Sequence, residues 1–319
     1  MAATTQLVAP ARTAGPVALW HLLSLDAPTV AALWTWFVAR AAHVRLPLAS
    51  PAAMALAVWV LYATDRLLDA RLLDARPLGP CPEDPTGSMG SRTTGLRDRL
   101  EARHLFHHRH RRAFLAGIAI AAVGVAALLP RLAPAAVRLY LLQGALLVVW
   151  FLILHGTRSA HRLPKEIAVG LFFSAAIFIP TIARRPGLHL PLLPSAALFA
   201  ALCSLNCLFI CAWEHADGKL VASTGQLPYT RPTHATTHFA LAHLSALATS
   251  VAIAGAALAI FDPMSFAHSD ERLVPIACTL SAFALLALDR NRTRLSPIDL
   301  RAAADLALLT PLLLLPFLR

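Results

Sequence analysis

Two pairs of acidic residues lie where long apolar stretches of this chain end, and their types and spacing favour binding of a metal ion. The first pair is Asp65 and Asp69, and the second is Glu214 and Asp217. A spacing of four places Asp65 and Asp69 on one helical face, where like charges repel and need a compensating charge. Carboxylate oxygens are the ligands that Mg²⁺ prefers. The alternative is an ordinary polar helix end, neutralised at the first pair by Arg66, Arg71 and Arg76.

Further polar residues from two other places in the chain could join such a site. On a helix, Asn206 falls on the same stripe as Asp217. A basic segment before another apolar stretch contains Arg158, Arg162 and Lys165, whose guanidinium and ammonium groups are suited to phosphate oxygens. We predict that these three basic residues bind a phosphate-containing substrate. The competing interpretation is that cytoplasmic loops of membrane proteins are commonly basic without such a role.

Two histidine groups suggest a different chemistry. The segments His104-Leu-Phe-His107-His108 and His234-Ala-Thr-Thr-His238 resemble the histidine boxes with which membrane desaturases and hydroxylases bind two iron ions. Those enzymes need a third box, which the remaining histidines do not form, and the arginines at positions 103, 109, 111 and 112 would repel a metal ion. We therefore expect the first group to belong to a basic segment that lies on anionic lipid headgroups.

The elements that must position these residues are predicted to be membrane-spanning helices. Of the 319 residues, 57% are hydrophobic and only 14% are charged, and the apolar residues form blocks close to the length that crosses a bilayer. Such blocks must be helices because unpaired backbone amides are costly in hydrocarbon. We predict an all-α fold with about nine spans, at approximately 17–42, 46–63, 113–129, 135–155, 167–183, 192–213, 239–261, 273–288 and 302–318.

The distribution of basic residues predicts the orientation of the chain. With a cytoplasmic N-terminus, 20 of the 28 lysines and arginines lie on the cytoplasmic side, as the positive-inside rule requires. Residues 1–16 are then a cytoplasmic tail, residues 17–319 form a single transmembrane domain, and residues 65–112 approximately form a large cytoplasmic loop. Both acidic pairs face the cytoplasm, whereas Asp270 lies in an external loop and should be exposed. We expect a multi-pass protein of a bacterial inner membrane.

The net charge of +11 does not indicate a nucleic-acid partner. The positive-inside distribution explains this charge, and the long basic loop lacks the interleaved aromatic residues that a nucleic-acid interface needs. Membrane lipids are the expected environment, and the oligomeric state stays open.

These features resemble, in type and order, those of the UbiA-type intramembrane prenyltransferase superfamily. Asp65 and Asp69 match the end of the first aspartate-rich motif of the family, and Arg76-Pro77 resembles the Arg-Pro that follows it. The chain departs from this motif where Leu61-Tyr62 stands in place of Asn-Asp. It departs from the second motif where Asn206 stands in place of Asp.

Three further segments extend the resemblance over most of the chain. Glu214 and Asp217 correspond to the late acids of the second motif. Lys165 resembles the lysine that precedes the fifth helix of the family, with Gly170 following it. The segment Leu25-Asp26-Ala27-Pro28 is similar to the start of its first helix.

The resemblance implies a fold, a reaction and a site. We expect a UbiA-like bundle of nine helices that transfers a prenyl group from an isoprenyl diphosphate to a lipophilic acceptor, either aromatic or lipid. The residues implied to hold Mg²⁺ are Asp65, Asp69, Glu214 and Asp217. Those implied to bind the diphosphate are Arg158, Arg162 and Lys165. Catalytic roles are implied for Lys165, Asn206 and Asp217, and the candidates for contact with the acceptor are Asn206 and His215.

Proteins of two other classes stay open as alternatives. A transporter or lipid-binding membrane protein on the same scaffold would have lost catalysis, and the departures at Leu61-Tyr62 and Asn206 support that interpretation. A di-iron enzyme of the desaturase or hydroxylase type is the remaining alternative, supported by the two histidine groups.

Overall fold

All regular secondary structure in the computed structural model is helical, which confirms the prediction of an all-α chain. The structure describes residues 15–74, 106–107, 109–156, 165–222, 235–261 and 269–318, and no β-strand occurs among them. The α-helices of these ranges are α1 Pro16–Leu22, α2 Asp26–Ala41, α3 Ala49–Asp74, α4 Arg111–Leu128, α5 Pro134–Gly156, α6 Lys165–Arg184, α7 His189–Ala222, α8 Ala235–Ala242, α9 Leu244–Phe261, α10 Leu273–Arg290, α11 Pro297–Leu306 and α12 Pro311–Leu314.

Seven helical segments among the described residues are long and apolar enough to cross a membrane. They are Ala49–Leu68, Arg111–Arg131, Lys165–Arg184, Pro186–Glu214, Leu244–Phe261, Asp270–Arg290 and Pro297–Phe317. Of the other two predicted spans, the first is interrupted, since α2 has only 16 residues. The fourth coincides with α5, whose 23 residues include the apolar stretch Pro134–Trp150. The membrane character of the chain follows from these seven segments, and the count of nine stays a prediction.

Proline divides two of the predicted spans, although both were expected to be continuous helices. Segment 17–42 breaks between α1 and α2, where Ser24 adopts a φ of 59°. Pro28 explains this break, because it has no N–H to offer the carbonyl of residue 24 and its ring would clash with that carbonyl in a continuous helix. The last span breaks in the same way four residues before Pro311, where α11 gives way to a 3₁₀ turn at Ala307–Leu309.

The last span also begins earlier than its predicted start at residue 302. Ser296 caps α11, because its Oγ accepts a hydrogen bond from the backbone N–H of Asp299 at 3.2 Å. Near the break, Trp34 of α2 is fully buried and its Nε1 donates to the carbonyl of Leu308 at 2.7 Å. This bond satisfies a backbone carbonyl at the interruption, where no water is available inside a membrane.

The core lies around α2, α6, α7, α10 and α11, whereas α4 lies at the edge of the bundle. Trp34 of α2 packs on Phe199 of α7 with ring centroids 4.2 Å apart. In the apolar stretch of the α7 span 56% of the residues are buried, but in that of the α4 span only 11% are buried. The remaining apolar surface of α4 is therefore suited to lipid.

Candidate functional site

Five polar side chains from five helices meet inside the bundle, and we call them the polar cluster. They are His21 of α1, Asp26 of α2, Arg66 of α3, Asn206 of α7 and Asp305 of α11. The first four residues are at most 7% exposed, and the side chain of Asp305 is 15% exposed. Ionisable groups within membrane-spanning helices are costly and usually mark a functional site. The polar cluster is therefore the principal candidate site in the described part of the chain.

Arg66 and Asp305 lie far from one end of their helices, whereas His21 and Asp26 lie at the break between α1 and α2. Arg66 is eight residues from the end of α3, and Asp305 is eight residues from the start of α11. At about 1.5 Å per residue, this places both residues about 12 Å inside those helix ends. A ligand that reaches the cluster would have to leave bulk water.

Asp26 is the residue on which most of the polar contacts converge. Its Oδ2 lies 2.6 Å from His21 Nδ1 and accepts a hydrogen bond from Arg66 Nη2 at 3.3 Å, while its Oδ1 accepts one from Ala27 N at 2.9 Å. Asp26 also begins α2, where the helix dipole favours a negative charge. Such additional partners are what a buried ion pair needs, because desolvation otherwise outweighs the attraction between the charges.

Side chains of α3 hold the break between α1 and α2 in place. Arg66 Nη1 donates to the carbonyl of His21 at 2.8 Å, and Trp59 Nε1 donates to the carbonyl of Leu23 at 3.0 Å. Both carbonyls lie at the end of α1, where a helix leaves its last carbonyls without helical partners. The break that Pro28 causes therefore brings His21 next to Asp26 and gives Arg66 a backbone partner.

Asp305 and Asn206 form the second half of the polar cluster. Asn206 Nδ2 donates to Asp305 Oδ1 at 3.1 Å, and Asp305 Oδ2 lies 4.0 Å from His21 Nδ1. His21, Asp26 and Asp305 each present one ligand atom within 4.8 Å of the others. The Oδ1 of Asn206 is buried and has no hydrogen-bond partner among the described residues. This donor set of two carboxylates, an imidazole and an amide oxygen is suited to a cation.

The structure places only one described site residue predicted from the two acidic pairs and their neighbourhood inside the polar cluster. Asn206 belongs to the polar cluster, whereas Asp65 is exposed. Neighbouring residues on a helix differ by about 100° in direction, so the burial of Arg66 turns Asp65 away from the cluster. Glu214 is also exposed, and its Oε1 accepts a hydrogen bond from Arg301 Nη2 at 2.6 Å. Arg66, considered as a neutralising partner of the first acidic pair, reaches Asp26 instead.

Lys165 lies at the first residue of α6 and is exposed. Gly170 packs so closely on α7 that a Cβ there would lie 2.5 Å from the carbonyl oxygen of Ala200 and 2.8 Å from the N of Ser204. Lys165 precedes this contact by five residues on a helix antiparallel to α7. It therefore lies at about the depth of Asn206, on the exposed side of α6.

The other predicted site residues lie outside what the structure describes. Arg158 and Arg162 fall between residues 156 and 165, and the described side chains do not include those of Asp69, His215 and Asp217. The same holds for His104, His108 and His234. Their roles stay predictions.

Two expectations about exposure are wrong. His107 was expected on lipid headgroups, but it is fully buried, with its ring 4.4 Å from that of Phe114 and its Nε2 3.4 Å from Ser24 Oγ. Asp270 was expected to be exposed, but it is 3% exposed and its Oδ2 lies 3.7 Å from His43 Nε2. In both cases a partner distant in sequence makes burial of a polar side chain possible.

Of the five residues of the polar cluster, sequence reasoning identified only Asn206 as a site residue. His21 and Asp305 lie inside segments predicted to span the membrane, and an ionisable residue in such a segment is itself a signal of function. Asp26 was noted only as part of a helix start, and Arg66 only as a neutralising charge. The signal for all four residues was present, but nothing in the sequence indicated that they share one site.

A scan against protein-family models and searches of curated proteins and of solved structures found no match for this chain.

Proposed function

We propose that this chain is an intramembrane prenyltransferase, which transfers a prenyl group from an isoprenyl diphosphate to a lipophilic acceptor with Mg²⁺ as cofactor. The observation that supports the proposal is that one residue beside the first acidic pair and one on the helix of the second pair are buried in the same polar cluster. These residues are Arg66 and Asn206, which are 140 residues apart in sequence and are both buried. A site that joins a charged diphosphate to apolar substrates needs polar groups enclosed by apolar helices.

The chemistry of the helix ends is suited to the diphosphate. Asp65 near the end of α3 and Glu214 on α7 offer exposed carboxylates, which are ligands that Mg²⁺ prefers. In the proposed site these two residues, together with Asp69 and Asp217, would hold Mg²⁺, which when bound neutralises part of the diphosphate charge. The bundle would have nine spans and a UbiA-like arrangement, with these helix ends facing the cytoplasm of a bacterial cell.

The residues of this chain would then act on the substrate in three ways. Lys165, Arg158 and Arg162 bind the diphosphate oxygens and stabilise the negative charge that grows when the bond between prenyl carbon and oxygen breaks. The surrounding apolar helices exclude water, so that the acceptor captures the allylic cation and releases a proton. Asn206, which is buried at about the depth of Lys165, positions the acceptor.

The first test is a direct assay of prenyl transfer with a matched pair of variants. The purified protein in lipid nanodiscs is incubated with labelled isoprenyl diphosphates, Mg²⁺ and a native lipid extract. We expect labelled lipophilic product, and we expect Lys165→Met to lower its rate by about 10²-fold. The control is Arg184→Met, which removes an exposed cation from the opposite end of α6. The proposal would be contradicted if no labelled product formed with isoprenyl diphosphates of any prenyl chain length, or if the two variants had equal rates.

The second test asks whether the two acidic pairs act on one ligand. Asp65→Asn and Asp217→Asn should each greatly weaken Mg²⁺-dependent binding of a diphosphate analogue, and the double variant should be little worse, because either change leaves an incomplete metal shell. Asp299→Asn is the control, since Asp299 is exposed and lies on α11. Small and additive effects would show that the acids are only polar helix ends.

A transporter on the same scaffold is the second candidate. The polar cluster favours it, because buried acidic and basic groups between helices also line proton and ion pathways. Sealed proteoliposomes loaded with a pH-sensitive dye distinguish the two functions. Proton flux that is lost in Asp26→Asn, without formation of prenylated product, would replace the enzyme proposal with the transporter.

A further inference from the structure

We propose that the polar cluster binds a divalent transition-metal ion, such as Mn²⁺ or Zn²⁺, through His21, Asp26, Asn206 and Asp305. None of these four ligands is among the residues proposed to hold Mg²⁺ or the diphosphate, and the site shares only Asn206 with the proposed acceptor site. The inference depends on the geometry of the cluster and does not require that the chain transfers prenyl groups.

The ligand atoms lie close enough together to surround one ion once the hydrogen bond between His21 and Asp26 opens. With metal–ligand bonds of about 2.1 Å, adjacent ligands of an octahedral ion are about 3 Å apart and opposite ligands are about 4.2 Å apart. His21 Nδ1 lies 2.6 Å from Asp26 Oδ2 and 4.0 Å from Asp305 Oδ2, and the three ligand atoms all lie within 4.8 Å of one another. Small rotations of these side chains are sufficient to bring them around one ion.

Asn206 supplies an independent indication of a ligand. Its side chain is 6% exposed, and the hydrogen bond from its Nδ2 to Asp305 Oδ1 fixes the amide against the cluster. Its Oδ1 is buried and has no hydrogen-bond partner among the described residues. A buried amide oxygen without a partner is costly. A cation held by Asp305 would lie within reach of that oxygen and would satisfy it.

Charge balance favours the same ligand. Asp26 and Asp305 bring two negative charges, and Arg66, 3.3 Å from Asp26, brings one positive charge. With both carboxylates ionised and a neutral imidazole, the cluster has a net charge of −1, which is unfavourable where water is largely excluded. A divalent cation supplies the missing positive charge. The imidazole ligand favours Zn²⁺ over Mg²⁺ or Ca²⁺, and the carboxylate and amide oxygens also suit Mn²⁺. The competing form of compensation is a proton, held either by His21 or between the carboxylates of Asp26 and Asp305.

The decisive variant is Asn206→Asp, because the metal site and a metal-free hydrogen-bond network respond to it in opposite ways. The substitution removes the Nδ2 donor and places a third carboxylate beside Asp305, so it should lower the unfolding temperature of the metal-free protein. Mn²⁺ or Zn²⁺ should restore that temperature, and the affinity for Mn²⁺ should rise at least tenfold. Both quantities are measured on the full chain in nanodiscs, by thermal unfolding followed by tryptophan fluorescence and by titration with Mn²⁺ alone.

Loss of a ligand should weaken the same binding. We expect Asp305→Asn to lower Mn²⁺ affinity by about 10- to 100-fold, whereas Asp299→Asn on the same helix should leave it unchanged. His21→Gln should abolish the imidazole-nitrogen coupling in the pulsed EPR spectrum of bound Mn²⁺. A variant with His104 and His108 changed to Gln controls for binding by the histidine-rich segment and should keep that coupling.

The opposite results would overturn the metal site. If Asn206→Asp stays destabilised in Mn²⁺ and Zn²⁺, or if Asp305→Asn and Asp299→Asn bind Mn²⁺ equally, the cluster is a hydrogen-bond network that a proton neutralises. Assaying prenyl transfer in the same samples separates the two proposals. Stoichiometric Mn²⁺ binding without prenylated product would support the metal site and contradict only the prenyltransferase proposal.

Discussion

The Asp26–Arg66 pair and the Glu214–Arg301 pair are the same kind of interaction at two different depths. The exposed pair is the shorter one, at 2.6 Å compared with 3.3 Å. However, the carboxylate side of this pair is open to water: the side chain of Glu214 is 45% exposed and that of Arg301 14%, whereas those of Asp26 and Arg66 are 1% and 8% exposed. An exposed pair contributes at most about 1 kcal/mol to stability. Removal of one partner from a buried pair costs about 3–5 kcal/mol, because it leaves an uncompensated charge away from water.

The difference teaches that the environment of an ion pair, and not its length, determines what depends on it. Arg66 binds the carbonyl of His21 as well as Asp26, so the buried pair also fixes the break between α1 and α2. Arg301 and Glu214 join only the surfaces of α11 and α7. Substitutions in the buried pair should therefore change the fold and the polar cluster together, whereas those in the exposed pair should change little beyond local charge.

The largest effect is expected for Arg66→Met. This change leaves Asp26 buried without its cation and removes the donor to the carbonyl of His21, so the free energy of unfolding should fall by about 3–5 kcal/mol. Adding Asp26→Asn should restore part of that loss, because the remaining side chain is neutral. Unfolding in SDS titrations, followed by circular dichroism, measures both variants. If Arg66→Met costs no more than Arg301→Met, the contrast between the two depths is wrong.

An intermediate effect is expected for Trp59→Phe, which keeps an aromatic ring but removes the donor to the carbonyl of Leu23. Loss of that bond should lower the free energy of unfolding by about 1–2 kcal/mol. It should also loosen the break between α1 and α2. Hydrogen exchange at residues 22–26 should therefore become faster, while exchange in α9 stays unchanged. Equal exchange in wild type and variant would show that Arg66 alone holds this junction.

The helical class and the positions of most apolar segments could be predicted, because both depend on local composition. Backbone groups in a membrane must be paired within the segment, so a block of apolar residues near the required length has few alternatives to a helix. Proline contributes to the breaks before Pro28 and Pro311 but does not by itself predict them, because Pro180 and Pro194 lie inside continuous helices. The two breaks were missed because the apolar pattern continues through both sites.

The composition of the polar cluster could not be predicted in the same way. The first acidic pair predicted the correct turn of α3, but the residue of that turn that lies in the cluster is Arg66 and not Asp65. Which face of that turn is buried depends on α1 and α2, and local spacing does not contain this information. His21 and Asp305 are 284 residues apart in sequence, and only the packing of α1 against α11 brings them together.

The smallest effect is expected for Arg301→Met. Arg301 donates to a carboxylate that water already solvates, so its loss should lower the free energy of unfolding by less than about 1 kcal/mol. Raising NaCl from about 0.05 to 0.5 M should remove most of that difference, because exposed charges are screened within a few ångströms at high salt. The effect of Arg66→Met should persist in the same buffers, since the buried pair is shielded from counterions. SDS titrations of both variants at the two salt concentrations test this, and equal salt sensitivity would mean that water reaches Asp26 as readily as it reaches Glu214.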